Sequence, residues 1–305
     1  MANSMYRNDY EHFFHEKMKY RILADPEQEA YVKAILAPTN DVQAVFCNAA
    51  AGTGKTAIAL SAAYYQMSKG NADRIIYVRN AMAVRTTGFL PGTLGEKEAP
   101  FMQPAIDVIN RIGYKVEKNM DLFADMTESG HLICTTTSYL RGVDFDAKTI
   151  LIVDEAQNLD LTELQTVLTR AHDTVKVIVV GSSLQNDNPR VEKYGANKTM
   201  LPFELYIDHF MNQSEIPVEN ISLSRNYRGK FANFADKIQE SVTRVNVKPE
   251  PAGPSFEKPF YPKKGCFKNP EQEKSEQLNE EFLKTIYGTE IPFYTTNDKG
   301  NYIGI

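Results

Sequence analysis

The chain contains 305 residues, of which 42% are hydrophobic and 24% are charged, a composition typical of soluble globular proteins. Its 34 Lys and Arg against 39 Asp and Glu give a formal net charge of -5, which excludes binding to nucleic acid through bulk positive charge. Any nucleic-acid site must therefore be a local basic patch. The three cysteines have no paired spacing and the five histidines form no zinc motif, so we expect neither a disulfide scaffold nor a zinc module.

Residues 1–24 predict a helical N-terminal extension that is charged throughout and lacks the apolar core of a signal peptide. No later stretch approaches the roughly 18 consecutive apolar residues that a membrane span requires. We therefore expect a cytoplasmic protein that does not contact a membrane.

From residue 41 to about residue 181, short apolar runs rich in β-branched residues alternate with longer helical patterns. This alternation indicates βαβ units around a parallel sheet with helices on both faces. A capping-box pattern, Asp160 with Glu163, predicts the start of one of the helices. The predicted strands are 42–49, 74–79, 149–156 and 175–181, and HLICTTT, from residue 130 onward, is a fifth candidate.

The first strand is followed directly by a small-residue loop, AAAGTGKT, and then by a helical run. In a phosphate-binding loop, small residues let backbone N–H groups converge on phosphates, the lysine reaches the β- and γ-phosphates, and the hydroxyl holds Mg²⁺. The alternative is a strand-to-helix turn without a ligand, and Ala49 does replace the first glycine of the GxxxxGK[ST] pattern. The predicted nucleotide-binding residues are Ala49, Ala50, Ala51, Gly52, Thr53, Gly54, Lys55 and Thr56, with Lys55 also catalytic and Thr56 also a metal ligand.

An acidic pair follows the apolar strand ILIVDEAQN. Such a strand end would deliver Asp154 to Mg²⁺ and place Glu155 to orient and deprotonate an attacking water. A carboxylate that activates water predicts hydrolysis, whereas a small-molecule kinase must exclude water. The alternative is that the pair only caps the following helix.

Two later segments carry further candidate catalytic residues. In GSSLQNDN, after the next strand, Gln185 is a candidate sensor of the γ-phosphate or of the attacking water. In LSRNYRG, Arg225 and Arg228 are candidate arginine fingers that would neutralise transition-state charge. The alternatives are an ordinary polar loop and ordinary surface arginines.

The composition changes near residue 249, because six of the 15 prolines lie between residues 249 and 270. Proline lacks a backbone donor and fixes φ, so neither a helix nor a central strand can persist there. We therefore divide the chain into the extension, an ATPase domain at 25–245, and a proline-rich linker or arm with a C-terminal tail at 246–305. Within the tail, EQEKSEQLNEEFLKTIYG predicts one helix.

The order and spacing of these motifs, together with GFLPGTLGEK at residues 88–97, resemble the PhoH-like ATPases, a family related to superfamily 1 helicases. The resemblance covers about residues 25–242 and implies a RecA-like P-loop NTPase fold. Around LSRNYRG the sequence is closer to superfamily 1 NYR motifs, and it also resembles phage-encoded members of the family.

The resemblance assigns the phosphate-loop and acidic residues the same roles as above and gives Gln185 the sensing role. It further implies that Gln28, in DPEQEAYVKAIL, contacts adenine, and that Arg79, Arg141 and Arg170 are important. The sequence departs from the family pattern after residue 181, where Ser182 replaces the aspartate of GDxxQ. The loss of that carboxylate bears on coupling more than on ATP binding.

We therefore predict an ATPase that uses ATP and Mg²⁺, a possible helicase, and that couples hydrolysis to binding or remodelling RNA or single-stranded DNA. A local basic track could consist of Arg79, Arg85, Lys97 and Arg141. The alternatives are a nucleotide-dependent switch or assembly factor with little turnover and, on the phosphate loop alone, a kinase. Because 305 residues leave little room for two motor domains, an arginine finger must act in cis or on a neighbour's ATP, and the second case predicts a homo-oligomer, such as a ring.

Overall fold

The computed structural model describes residues 9–20, 22–80, 94–116, 121–137, 140, 145, 148–236, 238, 294–296 and 302–304. The chain divides into two compact units, residues 1–245 and residues 246–305. In the second unit the described residues form one antiparallel pair of strands, Tyr294–Thr296 with Tyr302–Gly304. The proline-rich stretch and the predicted tail helix lie outside the described residues. No helix in the described part of the chain is both long enough and apolar enough to cross a membrane.

A six-stranded parallel sheet forms the centre of the first unit. Its strands are β1 (Ala44–Asn48), β2 (Arg74–Arg79), β3 (Leu132–Thr136), β4 (Thr149–Asp154), β5 (Lys176–Gly181) and β6 (Val218–Ile221). Their order in the sheet is β3-β2-β4-β5-β1-β6. The five strands predicted from the sequence are confirmed, and β6, at one edge, was not predicted.

Eight α-helices lie in the described part of this unit. They are α1 (Asp9–Phe13), α2 (Pro26–Leu36), α3 (Lys55–Ser68), α4 (Leu94–Val116), α5 (Leu122–Glu128), α6 (Leu161–Leu168), α7 (Pro202–Met211) and α8 (Lys230–Asp236). Short helical turns of other types cover Phe14–Met18, Ile22–Ala24 and Ala156–Asn158. The predicted capping box of α6 is confirmed, since Asp160 accepts from the backbone N–H of Glu163 and the Glu163 carboxylate accepts from that of Asp160.

Both faces of the sheet are buried along the inner strands β1, β2, β4 and β5, where alternate apolar residues belong to two separate hydrophobic clusters. One cluster joins strand residues such as Val45 and Ile178 to α2, α3 and α4. The other joins Phe46 and Val179 to α6 and to Phe203 of α7. A parallel sheet covered on both faces needs apolar residues at every strand position, which explains the continuous apolar runs in the sequence. The predicted fold class, a RecA-like P-loop α/β domain, is confirmed.

The strand register brings the predicted functional segments to one edge of the sheet. Asn48 at the end of β1 is paired with Gly181 at the end of β5, and Arg79 of β2 is paired with Asp154 of β4. Since the strands are parallel, the loops that follow them all leave from the same edge. Ligands bind at this carboxyl edge in open α/β sheets.

Candidate functional site

A cleft of about 1490 Å³ lies at the carboxyl edge of the sheet. It brings together most of the side chains predicted from separate parts of the sequence. The predicted residues that line it are Gln28, Ala51, Gly52, Gly54, Lys55, Thr56, Asp154, Glu155, Gln185, Arg225 and Arg228. Ala49, Ala50 and Thr53 belong to the same loop but do not line the cleft.

The loop between β1 and α3 has the backbone of a phosphate-binding loop. Gly52 and Gly54 have φ values of +77° and +89°, a region that favours glycine. Helix α3 begins at Lys55, so its first backbone N–H groups face the cleft with no carbonyl partner inside the helix. The Thr53 hydroxyl donates to the Ala50 carbonyl at 3.0 Å, and the Lys55 ammonium donates to the same carbonyl at 3.4 Å. This arrangement can bind the phosphates of a nucleotide.

The loop is joined to the acidic pair by a hydrogen bond from the Thr56 hydroxyl to Asp154 Oδ1 at 2.9 Å. The other carboxylate oxygen, Oδ2, accepts from the Tyr77 hydroxyl at 2.5 Å. Burial raises the pKa of Asp154 and the Glu155 carboxylate raises it further, whereas Arg79 and the two hydrogen bonds lower it. A buried carboxylate and a hydroxyl 2.9 Å apart are hard oxygen donors beside a phosphate site, and they fit Mg²⁺.

Glu155 is held in an uncommon backbone conformation, with a φ of +53°. Its Oε1 lies 3.5 Å from Nη2 of Arg79, and its Oε2 accepts a hydrogen bond of 2.5 Å from Nε2 of Gln157. The surrounding side chains therefore fix both carboxylate oxygens. Strained residues of this kind concentrate at functional sites.

Gln157 is fully buried and was not predicted from the sequence as a site residue. Its Nε2 also donates to the Gln185 carbonyl at 3.0 Å, and its Oε1 accepts from the Ser182 backbone N–H at 2.9 Å. A Cβ on Gly181 would lie 2.9 Å from Oε1 of Gln157, so this close approach requires glycine. Gln157 thus connects Glu155 to the loop after β5. Its position two residues after Glu155 in DEAQN was the available signal.

The loop after β5 carries the predicted sensor and the departure from the family pattern. Gln185 lines the cleft, and its backbone N–H donates to the Ser182 carbonyl at 3.0 Å. Ser182 is buried, and its hydroxyl has no hydrogen-bond partner among the described residues. Ser183 donates its backbone N–H to Asn48 Oδ1 at 3.1 Å, which ties this loop to the end of β1.

Residues 224–228, the SRNYR segment, pack directly on the phosphate loop of their own chain. Asn226 Nδ2 donates to the Ala51 carbonyl at 2.9 Å, and the Tyr227 backbone N–H donates to the Gly52 carbonyl at 2.8 Å. A Cβ on Gly52 would lie 2.7 Å from Asn226 Oδ1. Only the two arginines of this segment were predicted from the sequence as site residues. The asparagine and tyrosine contacts join residues about 175 positions apart, so no local pattern predicts them.

The same segment also contacts the start of α2. The Tyr227 hydroxyl donates to Asp25 Oδ2 at 2.5 Å, and Asp25 caps α2 by accepting from the Gln28 backbone N–H at 3.2 Å. Partial burial and the bond to Asp25 raise the pKa of Tyr227 to about 12, which keeps the hydroxyl protonated as a donor. Nε2 of Gln28 donates to the Thr53 carbonyl at 3.0 Å. Gln28 is therefore in direct contact with the phosphate loop, and its contact with adenine stays a prediction.

Both candidate arginine fingers line the cleft of their own chain. The Arg225 guanidinium lies 5.1 Å from the centre of the Tyr227 ring, and the Arg228 side chain lies close to Gly52. The role of either arginine as a finger stays a prediction. Arg170 follows α6 and does not line the cleft, while Arg85 and Arg141 lie outside the described residues.

A family model described as PhoH-like protein matches residues 23–226. The chain belongs to the PhoH-like family. The match agrees with the resemblance found in the sequence and includes the phosphate loop, the acidic pair and most of the SRNYR segment. Together with the loop geometry, it identifies a nucleotide-binding P-loop protein.

Curated PhoH-like relatives match over part of their length. The chain is 35% identical over 193 residues to a PhoH-like protein of Synechocystis sp., covering 62% of this chain and 56% of the relative. It is 34% identical over 185 residues to Protein PhoH of Escherichia coli (strain K12), covering 60% of this chain and 50% of the relative. The chain therefore spans about half the length of these relatives. Among solved structures, the Pif1 helicase from Candida albicans aligns with 89% of this chain and with 57% of the helicase chain. The sequence identity is 16% and the TM-score is 0.32, a likeness too low to indicate an activity.

Proposed function

We propose that this PhoH-like protein hydrolyses ATP with Mg²⁺ and couples hydrolysis to binding or remodelling RNA or single-stranded DNA. The observation that carries the hydrolytic part is the 2.9 Å hydrogen bond between the Thr56 hydroxyl and Asp154. It joins the Asp154 carboxylate, at the end of β4, to the loop proposed to bind phosphates, although about a hundred residues separate the two in the sequence.

The residues of the site have complementary roles in this proposal. The backbone N–H groups at the start of α3 and the Lys55 ammonium bind the β- and γ-phosphates. Thr56 and Asp154 would hold Mg²⁺, which when bound supplies positive charge against the phosphate oxygens. Glu155, fixed by Arg79 and Gln157, orients and deprotonates the attacking water.

The other cleft residues would contact the γ-phosphate or the adenine base of ATP. Arg225 and Arg228 would neutralise charge that develops during phosphoryl transfer, in the cleft of their own chain. Gln185 would sense the γ-phosphate and, through its carbonyl bond to Gln157, is connected to Glu155. Gln28 would contact adenine, because an amide both donates and accepts hydrogen bonds.

The nucleic-acid part of the proposal rests on the similarity of the motifs to superfamily 1 helicases. The net charge of -5 confines such a site to a local surface. Hydrolysis should therefore be measured with and without single-stranded RNA and DNA, with binding followed at several salt concentrations. Unchanged hydrolysis and no retention of either nucleic acid at low salt would refute coupling and leave the ATPase proposal intact. A mass determination in the same buffer tests the homo-oligomer that is expected if an arginine finger acts on a neighbour's ATP instead.

A second candidate is a nucleotide-dependent switch or assembly factor with little turnover. It is favoured by Ser182, which is buried where the family pattern has aspartate and whose hydroxyl has no partner among the described residues. The variant Glu155→Gln separates the two candidates. An ATPase loses hydrolysis but retains ATP, whereas a switch has little hydrolysis to lose.

A further inference from the structure

We propose that Tyr20 and Arg111 form a base-binding wall of the nucleotide cleft, against which the base of the bound nucleoside triphosphate stacks. This inference rests on the proposed function, since it concerns the same ligand. It assigns a role in binding to the N-terminal segment, which the family match, beginning at residue 23, does not include.

The two wall residues come from elements far apart in the sequence and meet at the cleft. Both line it, and Arg111 Nη1 of α4 donates to the Tyr20 hydroxyl at 3.2 Å. The Tyr20 ring is half-buried and packs against the hydrophobic cluster that contains α2, α3 and α4. Arg111 is exposed. One part of the ring is therefore supported by the core, and the rest is available to a ligand.

The backbone before the wall is fixed by its own hydrogen bonds. The Tyr20 backbone N–H donates to the Phe14 carbonyl at 3.0 Å, and Lys19 caps the preceding turn in the left-handed conformation, with a φ of +58°. Aromatic stacking of Phe13 on Tyr64 attaches the same segment to α3. A wall held in this way loses little conformational freedom when a ligand binds.

The wall and the phosphate loop line the same cleft, so a nucleotide held there by its phosphates also has its base in this cleft. Gln28 also lines the cleft, and its Nε2 lies 3.3 Å from the position of a Cβ on Gly54 in the phosphate loop. The cleft, at about 1490 Å³, exceeds the roughly 300–1,000 Å³ of small-molecule pockets, so phosphates alone leave much of it unfilled.

The chemistry of the wall fits a planar aromatic group. Among the described residues that line the cleft, Tyr20 and Tyr227 are the aromatic ones, and the Tyr227 ring already has the Arg225 guanidinium at 5.1 Å. A tyrosine ring beside a guanidinium offers stacking and cation–π contacts to any base. Stacking is tolerant of base identity, so the wall supplies affinity for purine nucleotides and not discrimination between them. Asp107 also lines the cleft near Arg111, where its carboxylate accepts from Gln103 Nε2 at 2.7 Å.

The test compares nucleotides with a ligand that has phosphates but no base. Binding of the non-hydrolysable imido analogues of ATP and GTP, and of inorganic tripolyphosphate, is measured with Mg²⁺ on the full chain by calorimetry. The variants are Tyr20→Ala, Tyr20→Phe and, as a matched control, Tyr194→Ala, which removes another half-buried tyrosine that does not line the cleft.

We expect Tyr20→Ala to weaken both analogues about tenfold, or about 1.4 kcal/mol, while tripolyphosphate binds as to wild type. Tyr20→Phe keeps the ring and should remain within about fivefold of wild type, since it loses one exposed hydrogen bond. Tyr194→Ala should bind all three ligands normally.

Two results would refute the base-binding role of Tyr20 and Arg111 and leave the proposed function unaffected. One is Tyr20→Ala binding both analogues as wild type does. The other is an equal loss of affinity of Tyr20→Ala for the analogues and for tripolyphosphate, which would mean that Tyr20 supports the fold of the site and does not contact a base. Failure of wild type to bind any of the three ligands would instead refute the proposed function itself.

Discussion

Replacing Gln157 with glutamate should uncouple Glu155 from the loop after β5 and reduce hydrolysis. Gln157 donates to Glu155 at 2.5 Å and to the Gln185 carbonyl at 3.0 Å, and it accepts from the Ser182 backbone at 2.9 Å. A carboxylate keeps the acceptor but loses both donors. It also places a second carboxylate against Glu155 at a fully buried position, so the pair must take up one proton, and the single O–H donor that results cannot replace both N–H donors of the amide.

The loss of a hydrogen bond to a charged group and of one to a buried carbonyl should cost about 2–4 kcal/mol of unfolding free energy. The rate of ATP hydrolysis should fall about 100-fold, because a mispositioned general base loses most of its contribution. Binding of the ATP analogue should change little, since Gln157 does not contact the phosphate loop. Urea unfolding, steady-state hydrolysis and analogue binding measure these three quantities.

Gln165→Glu is the matched control, because it makes the same change at an exposed position on α6. We expect it to change unfolding free energy by no more than about 0.5 kcal/mol and to leave hydrolysis unaltered. If Gln157→Glu hydrolyses ATP as fast as the control, Gln157 does not position Glu155.

Gly52→Ala should destabilise the protein and weaken nucleotide binding, because its Cβ would lie 2.7 Å from Asn226 Oδ1 in addition to the strain of a positive φ. Gly70→Ala has a similar φ of +74° and open space around the Cβ, so it should show only the strain of about 1–2 kcal/mol and normal binding. Asp154→Asn should remove Mg²⁺-dependent hydrolysis. It should also raise the melting temperature measured at neutral pH without Mg²⁺, because burial raises the pKa of Asp154 and disfavours its charged form. An unchanged or lower melting temperature would contradict this. Burial lowers the pKa of Lys176 from 10.5 to about 8. Between these pH values the folded protein loses this proton while the unfolded chain keeps it, so wild type should gain unfolding free energy relative to Lys176→Met as pH rises. Urea midpoints that change with pH in the same way for both proteins would refute this.

The sequence predicted the sheet well because burial on both faces produces a strong local signal. The strands β1, β4 and β5 are continuous apolar runs, and each buries nearly all of its residues. The edge strand β6 lacked that signal, since VENI has two exposed polar residues between half-buried ends. A four-residue segment of this composition is indistinguishable from a loop.

Local motifs were sufficient to select residues that lie together in the cleft. Thr56 and Asp154 were assigned to one metal site from separate motifs, and the structure places their oxygens 2.9 Å apart. Contacts that depend on the tertiary fold could not be predicted from the sequence. Tyr227 reaches Asp25 across about 200 residues, and the role of Gln157 depends on the pairing of β4 with β5.

The central claim is that Glu155 activates water for hydrolysis of ATP bound at the phosphate loop. The most direct test is phosphate release from ATP and Mg²⁺ by wild type and by Glu155→Gln under single-turnover conditions, with ATP binding measured on both. We predict that wild type releases phosphate, and that the variant binds ATP equally well but releases phosphate at least about 100-fold more slowly. Equal rates for the two proteins, or no release by wild type despite tight ATP binding, would contradict the account.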